Sequence, residues 1–362
     1  MSQYDLIVLT FAEPIRGREV RAGYLPSDRL WGALYAADVQ LQSKPMPLDG
    51  IYRVSSAFPF ADGEWLLPKP RASASADASD SAGGDKKAVK RLEFVNLPDF
   101  LYLAAGGRLD PERLLAAAAR QRRALLPATA RPLPLQISAQ DLTRAVRNTG
   151  QRRSVDDLAQ ERYGVPVARL TAAERLHLSR EARGRSNTGL LERQRNTQDR
   201  VTQRTDTFNT EALTQPRMAF LLETTSEAQR AQLFASLRLL ADTGLSGMRT
   251  QGSGQFQWEA QRVPDALVQH LEAGGPQVLL GLTRPTPEEA QVIDQHPVSR
   301  YTLLRRDGYL DGTALQRQDV WMLGEGSLVP EPLNGVVTDV RPLGYPHSVW
   351  RSGLAVSLGV SA

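Results

Sequence analysis

The order of apolar and periodic segments along the chain is what most restricts its fold. Six segments alternate between a strand pattern and a helix pattern: residues 4–11 (strand), 25–39 (helix), 51–57 (strand), 218–223 (strand), 228–240 (helix) and 255–258 (strand). The strands are short runs rich in apolar residues, and the helices carry leucine or alanine at helical spacing. Strand, helix, strand, repeated once, is the order of a ferredoxin-like β-α-β-β-α-β unit. We therefore predict fold class α+β.

The rest of the chain is divided by composition and by a second, partial βα pattern. Residues 72–85 are of low complexity and predict a mobile loop, and Ser27 is predicted to cap the first helix. Further predicted elements are a helix over 111–125, a strand from Gln277, a helix over 287–294, and strands at 301–304 and 354–358. We predict an N-terminal domain over 1–265 and a smaller ferredoxin-like C-terminal domain over 276–362.

A glycine cluster raises the first functional question. Residues 243–258, TGLSGMRTQGSGQFQW, hold four of the 28 glycines of the chain. Gly247 and Gly252 have the spacing of a P-loop, but Ser253 stands where the phosphate-binding lysine belongs. A dinucleotide-binding motif places its glycines before the helix, whereas here the predicted helix comes first. Two interpretations stay open: a helix-to-strand turn with a helix-ending glycine, or a loop whose bare backbone lies against a bulky partner.

Positive charge is concentrated in one segment, although the net charge is only +4. Residues 120–204 contain 18 arginines and 8 acidic residues, so the rest of the chain carries a net charge of −6. A high-GC genome would enrich arginine throughout a protein, whereas segregation of charge indicates a polyanionic partner, most simply nucleic acid. Within this segment, residues 131–203 are predicted to form an arginine-rich, thumb-like insertion with a short helix at 172–182.

Composition and motifs argue against several classes of protein and site. No run approaches the ~20 apolar residues of a membrane span, and the first residues lack the features of a signal peptide. The absence of cysteine excludes disulfides and thiol chemistry and suits a reducing cytoplasm. No catalytic constellation, metal set or cofactor motif is found, and Asp28 is predicted to stabilise a helix dipole, with metal ligation as the alternative. The four histidines, none with metal-site spacing, are His177, His270, His296 and His347.

Several separate stretches agree with one family. In chain order they are LPSDRLWGAL (25–34), SSAFPF (55–60), LPKP (67–70), KKAVKRLEFV (86–95), RNTQDRVT (195–202), GLSGMRTQGSG (244–254), RRDGYLDG (305–312) and WRSGLAV (350–356). With these stretches the sequence resembles the RAMP superfamily of CRISPR–Cas proteins, and within it the fourth subunit of the type III-A Csm effector complex. The segment 131–191 matches no part of that family.

The resemblance implies a fold and a role. Such a protein has two ferredoxin-like (RRM-like) domains and is not an enzyme. It grips the 5′ handle of the CRISPR RNA as part of antiviral defence, and it binds no cofactor and no membrane. Its partners are the large polymerase-like signature subunit and the adjacent RAMP backbone subunit. The residues implied in RNA binding are Ser27, Arg29, Lys69, Arg195, Asn196, Asp199, Arg200, Thr202, Ser246, Gly247, Met248, Arg249, Thr250, Gly252, Ser253, Gly254, His347 and Arg351.

Two alternatives to this role stay open. A precursor-processing endoribonuclease of the same superfamily would usually need a histidine as general acid or base close to the RNA, and no histidine precedes His177. A generic RRM-type RNA-binding protein would expose aromatic residues on a strand for base stacking, and no such RNP1 motif occurs. The sequence therefore favours the non-catalytic RNA-binding subunit.

Overall fold

The computed structural model describes residues 3–12, 15–16, 23–44, 46–71, 92–125, 159–160, 166–171, 175, 190–198, 205–213, 216–245, 253–310 and 313–360. The predicted loop at 72–85 and most of the predicted insertion, including nearly all of its helix at 172–182, lie outside these residues. In chain order the strands are β1 (Gln3–Phe11), β2 (Ile15–Arg16), β3 (Arg53–Val54), β4 (Phe58–Ala61), β5 (Glu64–Trp65), β6 (Leu67–Pro68), β7 (Phe94–Val95), β8 (Leu190–Gln198), β9 (Thr205–Leu213), β10 (Arg217–Thr224), β11 (Phe256–Arg262), β12 (Gln277–Leu279), β13 (Leu303–Arg306), β14 (Val320–Leu323), β15 (Leu328–Val329), β16 (Gly335–Asp339), β17 (Trp350–Leu354) and β18 (Ser357–Gly359). The α-helices are α1 (Ser27–Gln42), α2 (Leu97–Ala104), α3 (Pro111–Ala124), α4 (Glu227–Thr243), α5 (Asp265–Leu271) and α6 (Pro287–Gln295).

The fold is a mixture of helices and antiparallel sheets built around one six-stranded sheet. Its strand order is β11-β1-β10-β4-β5, and β3 pairs with β10 beside β4. The register places Ile7 of β1 between Phe220 of β10 and Ala260 of β11. The predicted strands at 4–11 and 218–223 and the predicted helix at 228–240 agree with β1, β10 and α4 within a few residues.

Two details of the first half differ from the predictions. Pro26, not Ser27, is the N-cap of α1, and Ser27 is the first helical residue. The predicted strand at 51–57 is broken after β3, because the Ser55 hydroxyl accepts the hydrogen bond from the Leu221 backbone N–H at 2.9 Å. A side chain thus takes the place of a carbonyl in the ladder.

Helices α1 and α4 cover one face of the large sheet. Their leucines pack with alternate residues of the central strands, and this first core contains Ile7, Leu9, Phe220, Trp31, Leu34, Leu233 and Leu237. Alternate residues of a strand point to opposite faces, so Leu6, Val8 and Leu221 point the other way. The large sheet therefore has apolar side chains on both faces.

The second face of the sheet is covered by the C-terminal part of the chain together with α2 and α3. One cluster of buried residues joins Leu6, Val8 and Leu221 to Val278 and Leu280. The predicted domain division near 265–276 stays a prediction, and the structure shows that the two predicted parts share this core. An RRM-like use of the open sheet face is not available here, because the central strands are buried on both sides.

The C-terminal part consists of small sheets around α6. Its described strands form the sheets β15-β12-β18, β13-β14 and β16-β17. Helix α6 begins at Pro287 as predicted, with a capping box in which Thr286 and Glu289 bond to each other's backbone N–H. The predicted strand at 354–358 is divided between β17 and β18.

Candidate nucleic-acid interface

The glycine cluster begins where α4 ends. Gly244 caps the helix with a φ of 88°, and its N–H donates to the Leu240 carbonyl at 2.7 Å. A Cβ at this position would lie 2.7 Å from the Ser253 carbonyl oxygen, so both the backbone conformation and the space require glycine. The helix-ending glycine predicted from the sequence is confirmed.

A hydrogen-bonded neck closes the loop that follows. The Leu245 N–H donates to the Gly254 carbonyl at 2.9 Å, and Gly254 has a φ of 83°. The Gln255 side chain donates from Nε2 to the Asp242 carbonyl at 2.9 Å, which ties the outgoing chain to the last turn of α4. Residues between the two sides of this neck lie outside the described part of the chain, and they include Ser246, Gly247, Met248, Arg249, Thr250 and Gly252.

The neck lies at one end of the large sheet. Directly after it comes β11, the edge strand of that sheet, and most of the β11 side chains are at least partly exposed. Phe256 at the start of β11 pairs with Phe11 at the end of β1. The two sides of the neck are therefore attached to the large sheet at one edge, next to the end of β1.

The arginine-rich region contributes an antiparallel hairpin. Strands β8 and β9 pair from Leu190 opposite Leu213 to Gln198 opposite Thr205, and β2 joins β9 to complete a three-stranded sheet. Nine residues of β-strand extend about 30 Å. The end at Gln198 and Thr205 is therefore far from the end at Leu190 and Leu213.

Predicted RNA-contacting residues lie at the far end of this hairpin. Arg195 and Asn196 are strand residues opposite Phe208 and Thr207. The predicted members Asp199, Arg200 and Thr202 lie outside the described residues. The first four residues of the stretch RNTQDRVT (195–202) belong to β8.

A buried ion cluster stands at the start of α1. Arg306 donates from Nε and Nη2 to the two Asp28 carboxylate oxygens at 3.0 and 2.9 Å. Arg351 donates from Nη1 to Asp28 Oδ2 at 3.2 Å and from Nη2 to the Asp307 carbonyl at 3.1 Å. The exposed fractions of the side chains are 3% for Asp28, 12% for Arg306 and 6% for Arg351. Asp28 lies in the first turn of α1, as predicted, but the sequence did not show that its carboxylate holds two arginines.

A second polar group extends this cluster. The Ser56 hydroxyl donates to Glu325 Oε1 at 2.6 Å, and the Tyr24 hydroxyl donates to Oε2 at 3.3 Å. Burial raises the pKa of the Glu325 carboxyl above its ordinary value, and the negative charge of Asp28 adds to this, while the bond from Ser56 and the charge of Arg306 oppose it. Burial also raises the pKa of the Tyr24 hydroxyl.

The cluster and its extension contain part of the predicted RNA-binding set. The Ser27 hydroxyl is buried and accepts the Leu282 backbone N–H at 2.9 Å, and Arg351 is buried beside Asp28. Burial and internal bonds favour a structural role for both, so RNA contact by Ser27 and Arg351 stays a prediction that the geometry does not support. Arg29 lies on the same turn and is half-buried.

Lys69 lies beside this region on the chain that leaves β6. A Cβ on Gly326, the neighbour of Glu325, would lie 2.5 Å from the Lys69 carbonyl oxygen. Burial lowers the pKa of the Lys69 ammonium, and the nearby charge of Arg71 lowers it further. Ser27, Arg29, Lys69 and Arg351 are thus brought into one region, which is formed jointly by the N-terminal and C-terminal parts.

The remaining predicted residues lie elsewhere. Ser253 and Gly254 form one side of the neck, and His347 is exposed with its ring edge-on to Tyr345 at 6.1 Å. Sequence reasoning missed Arg306 and Glu325 as partners of the α1 start. The stretch RRDGYLDG, singled out in the sequence, contains Arg306, but Asp28 and Arg306 are 278 residues apart, and local periodicity does not indicate such a pairing.

The other histidines that the structure describes have ordinary partners. His270 Nδ1 lies 2.8 Å from the Gly359 carbonyl, and His296 Nδ1 accepts the Val298 N–H.

Among the described residues, no three acidic or histidine side chains are grouped as metal ligands would be. No helix in the described part of the chain is both long and apolar enough to cross a membrane. The cytoplasmic location stays a prediction.

Three comparisons with known proteins agree on one family. Residues 272–360 match the family described as the CRISPR Csm4 C-terminal domain. The protein described as "CRISPR system Cms protein Csm4" of Streptococcus thermophilus is 29% identical over 122 residues, which is 33% of this chain and 40% of that protein. Its counterpart in Thermococcus onnurineus (strain NA1) is 27% identical over 165 residues, which is 45% of this chain and 51% of the counterpart. The matched region thus spans about half or less of these relatives.

Solved structures show the same fold over the whole chain. The crystal structure of a Csm3–Csm4 subcomplex in the type III-A CRISPR–Cas interference complex has a TM-score of 0.56 at 15% identity, over 99% of this chain and 100% of the other. The crystal structure of a Csm1–Csm4 cassette in complex with cA4 has a TM-score of 0.50 at 14% identity, over 99% and 98%. The family match over residues 272–360, the relatives and this shared fold together support a Csm4-like RAMP protein of the type III-A CRISPR systems.

Proposed function

We propose that this chain is a non-catalytic subunit of a type III-A Csm complex that grips the 5′ handle of the CRISPR RNA. In this role it joins the large signature subunit to the neighbouring RAMP backbone subunit. Related Csm4 proteins have been crystallised with Csm3 and with Csm1, which supports both partners.

The geometry of the glycine-loop neck is the observation that carries the proposal. The Leu245–Gly254 hydrogen bond and the two positive-φ glycines hold the ends of a short segment rich in glycine. Backbone N–H groups without side chains in the way can approach phosphates closely, and Arg249 adds a charge. A rigid neck on the sheet edge would present this segment to RNA in a fixed position.

The strand order supports the finer fold assignment. Taking β1, the β3–β4 region, β10 and β11 as strands one to four, the observed order is 4-1-3-2 with antiparallel neighbours, and α1 and α4 follow strands one and three. We infer a ferredoxin-like N-terminal unit from this order. A second, C-terminal ferredoxin-like domain remains a proposal.

The buried sheet decides how such a unit would bind RNA. RRM proteins stack bases on aromatic residues of an open sheet face. Here Leu6, Val8 and Leu221 on that face are covered by Val278 and Leu280. This disfavours the generic RRM alternative, and RNA contact falls to the glycine loop, the β8–β9 hairpin and the half-buried basic residues Arg29 and Lys69 near the α1 start.

The test compares RNA affinity at fixed salt for variants of the loop and of its neck. Gly252→Val should weaken binding to a 5′-handle RNA strongly, because a branched side chain blocks the backbone from the phosphates. Arg249→Ala should weaken it by about 1 to 3 kcal/mol, as expected for a charge-assisted contact. Melting curves show whether the fold is intact.

Gly254 requires a matched control, because its positive φ strains any other residue. Gly63 has nearly the same φ, 80°, in an open turn between β4 and β5. Gly254→Ala should weaken RNA binding more than Gly63→Ala does, when the two variants are compared at similar stability.

If Gly252→Val binds RNA like the wild type, the loop is a turn and not an RNA-binding site. Specific cleavage of precursor RNA that is lost in His347→Ala would favour the nuclease alternative.

A further inference from the structure

The buried cluster of Asp28, Arg306 and Arg351 has a cost that requires an explanation. Taking three charges out of water costs several kcal/mol for each ion before their attraction is counted. Apolar side chains of similar size would often hold the same elements together at least as well. The cluster is therefore better explained by the geometry that it imposes than by stability alone.

The geometry joins three elements from distant parts of the chain. Asp28 belongs to the first turn of α1, Arg306 ends β13, and Arg351 belongs to β17. Helix α1 also packs against β17 through apolar contacts that include Trp350 and Leu354. Apolar contacts allow sliding, whereas the two-point bond from Arg306 to the carboxylate fixes both distance and angle.

The fixed turn also carries Arg29, which follows Asp28 directly and is half-buried. On the other side of the junction, the chain through Glu325 and Gly326 lies against Lys69. Any shift of α1 relative to β13 and β17 would therefore change the spacing of the basic side chains in this region.

We propose that Asp28 is a positioning residue, which clamps Arg306 and Arg351 so that the start of α1 presents Arg29, the one basic side chain of this helix, to the RNA in one arrangement. This inference rests on the proposed RNA-binding function and assigns Arg351 to the clamp instead of to the RNA. Two readouts separate these roles: the salt dependence of RNA binding and the hydrogen exchange of α1.

The salt dependence distinguishes a positioning residue from a phosphate contact. Each phosphate contact on single-stranded RNA contributes about 0.7 to the slope of log affinity against log salt. Asp28→Asn and Arg351→Gln should each weaken binding of a 5′-handle RNA by about 2- to 30-fold, the range seen for residues that touch no ligand but set its site. The slope should be the same in the two variants, because both release the same clamp. If the Arg351→Gln slope is smaller by about 0.7 than the Asp28→Asn slope, Arg351 contacts the RNA and the proposal is wrong.

The exposed ion pair of Arg262 and Asp265 supplies matched controls, with side chains 86% and 79% exposed. Asp265→Asn and Arg262→Gln make the same chemical changes and should leave the affinity unchanged. If Asp28→Asn strengthens binding, the Asp28 charge acts on the RNA directly by repulsion, which also overturns the proposal. Should Asp28→Asn fail to fold, Arg351→Gln decides the matter, because it keeps the bond between Asp28 and Arg306 intact.

Hydrogen exchange tests the clamp without RNA. Amides at the start of α1, such as those of Leu30 and Trp31, should exchange at least about tenfold faster in Asp28→Asn than in Asp265→Asn. Equal rates would mean that the cluster fixes nothing and would overturn the clamp. If the wild type does not bind 5′-handle RNA, the proposed function and the RNA consequence fail together, while the exchange result still decides whether the clamp exists.

Discussion

Replacing Leu280 by alanine tests whether the N-terminal and C-terminal parts fold as one unit. Leu280 is fully buried in the core shared with Leu6, Val8 and Leu221. Its carbonyl accepts the Ser56 N–H at 2.9 Å, and its N–H donates to the Val356 carbonyl at 2.8 Å. Alanine keeps both backbone bonds, so the perturbation is confined to the apolar side chain.

The size of the effect follows from the lost side chain. Three buried carbons contribute about 2.4 kcal/mol at ~0.8 kcal/mol each, and the remaining cavity adds to this. The free energy of unfolding should therefore fall by about 2 to 5 kcal/mol. Val292→Ala, at a site 38% exposed on α6, should change it by less than about 0.5 kcal/mol.

Urea unfolding, followed by circular dichroism and by the fluorescence of single-tryptophan variants, measures both parts. Trp31 lies in the N-terminal core, and Trp350 lies on β17 of the C-terminal part. In Leu280→Ala the two probes should still report one common transition, shifted to lower urea. A separate early transition at Trp350, with that of Trp31 unchanged, would refute the shared core and support two independent domains.

Three further predictions follow from charge and burial. The raised pKa of Glu325 means that the folded state holds this proton more tightly than the unfolded state, so the free energy of unfolding should fall as pH rises from about 4.5 through the raised folded pKa. In denaturation measured between pH 4 and 8, Glu325→Gln should show a smaller fall. An unchanged pH profile would assign the fall to other groups. Changing Arg195 and Arg200 together to alanine should lower the salt slope of RNA binding by up to about 1.4 units, at about 0.7 for each contact, whereas an unaltered slope would assign both to solvent or to a protein interface. Replacing residues 72–85 with a short Gly/Ser linker should leave the melting temperature within error, because the segment has little apolar surface to bury, and a large drop would mean that it packs.

The sequence was most informative where local pattern decides structure. The leucine spacing of α4, the apolar run of β1 and the glycine that ends α4 all depend on a few neighbouring residues, and each agrees with the structure. The α+β class follows from the same local patterns, and the structure shows helices packed on antiparallel sheets.

The sequence was least informative about contacts between distant segments. Ser27 has the type and position of an N-cap, yet Pro26 takes that place because the Ser27 hydroxyl accepts the N–H of Leu282. Arg351 looks like a surface arginine in WRSG, but a carboxylate 323 residues away holds it in the interior. Such tertiary bonds leave no trace in composition or periodicity.

The most direct test of the central claim is the affinity of the purified full chain for CRISPR RNA with and without its 5′ handle, measured at fixed salt. A handle-gripping subunit should bind the complete RNA at least about tenfold more tightly than an RNA of equal length and charge with a scrambled handle, since loss of one charge-assisted contact costs about 1.5 to 3 kcal/mol. The handle-containing RNA should also remain uncut. Equal affinity for the two RNAs would contradict recognition of the handle and leave only a general attraction of the arginine-rich segment for polyanions.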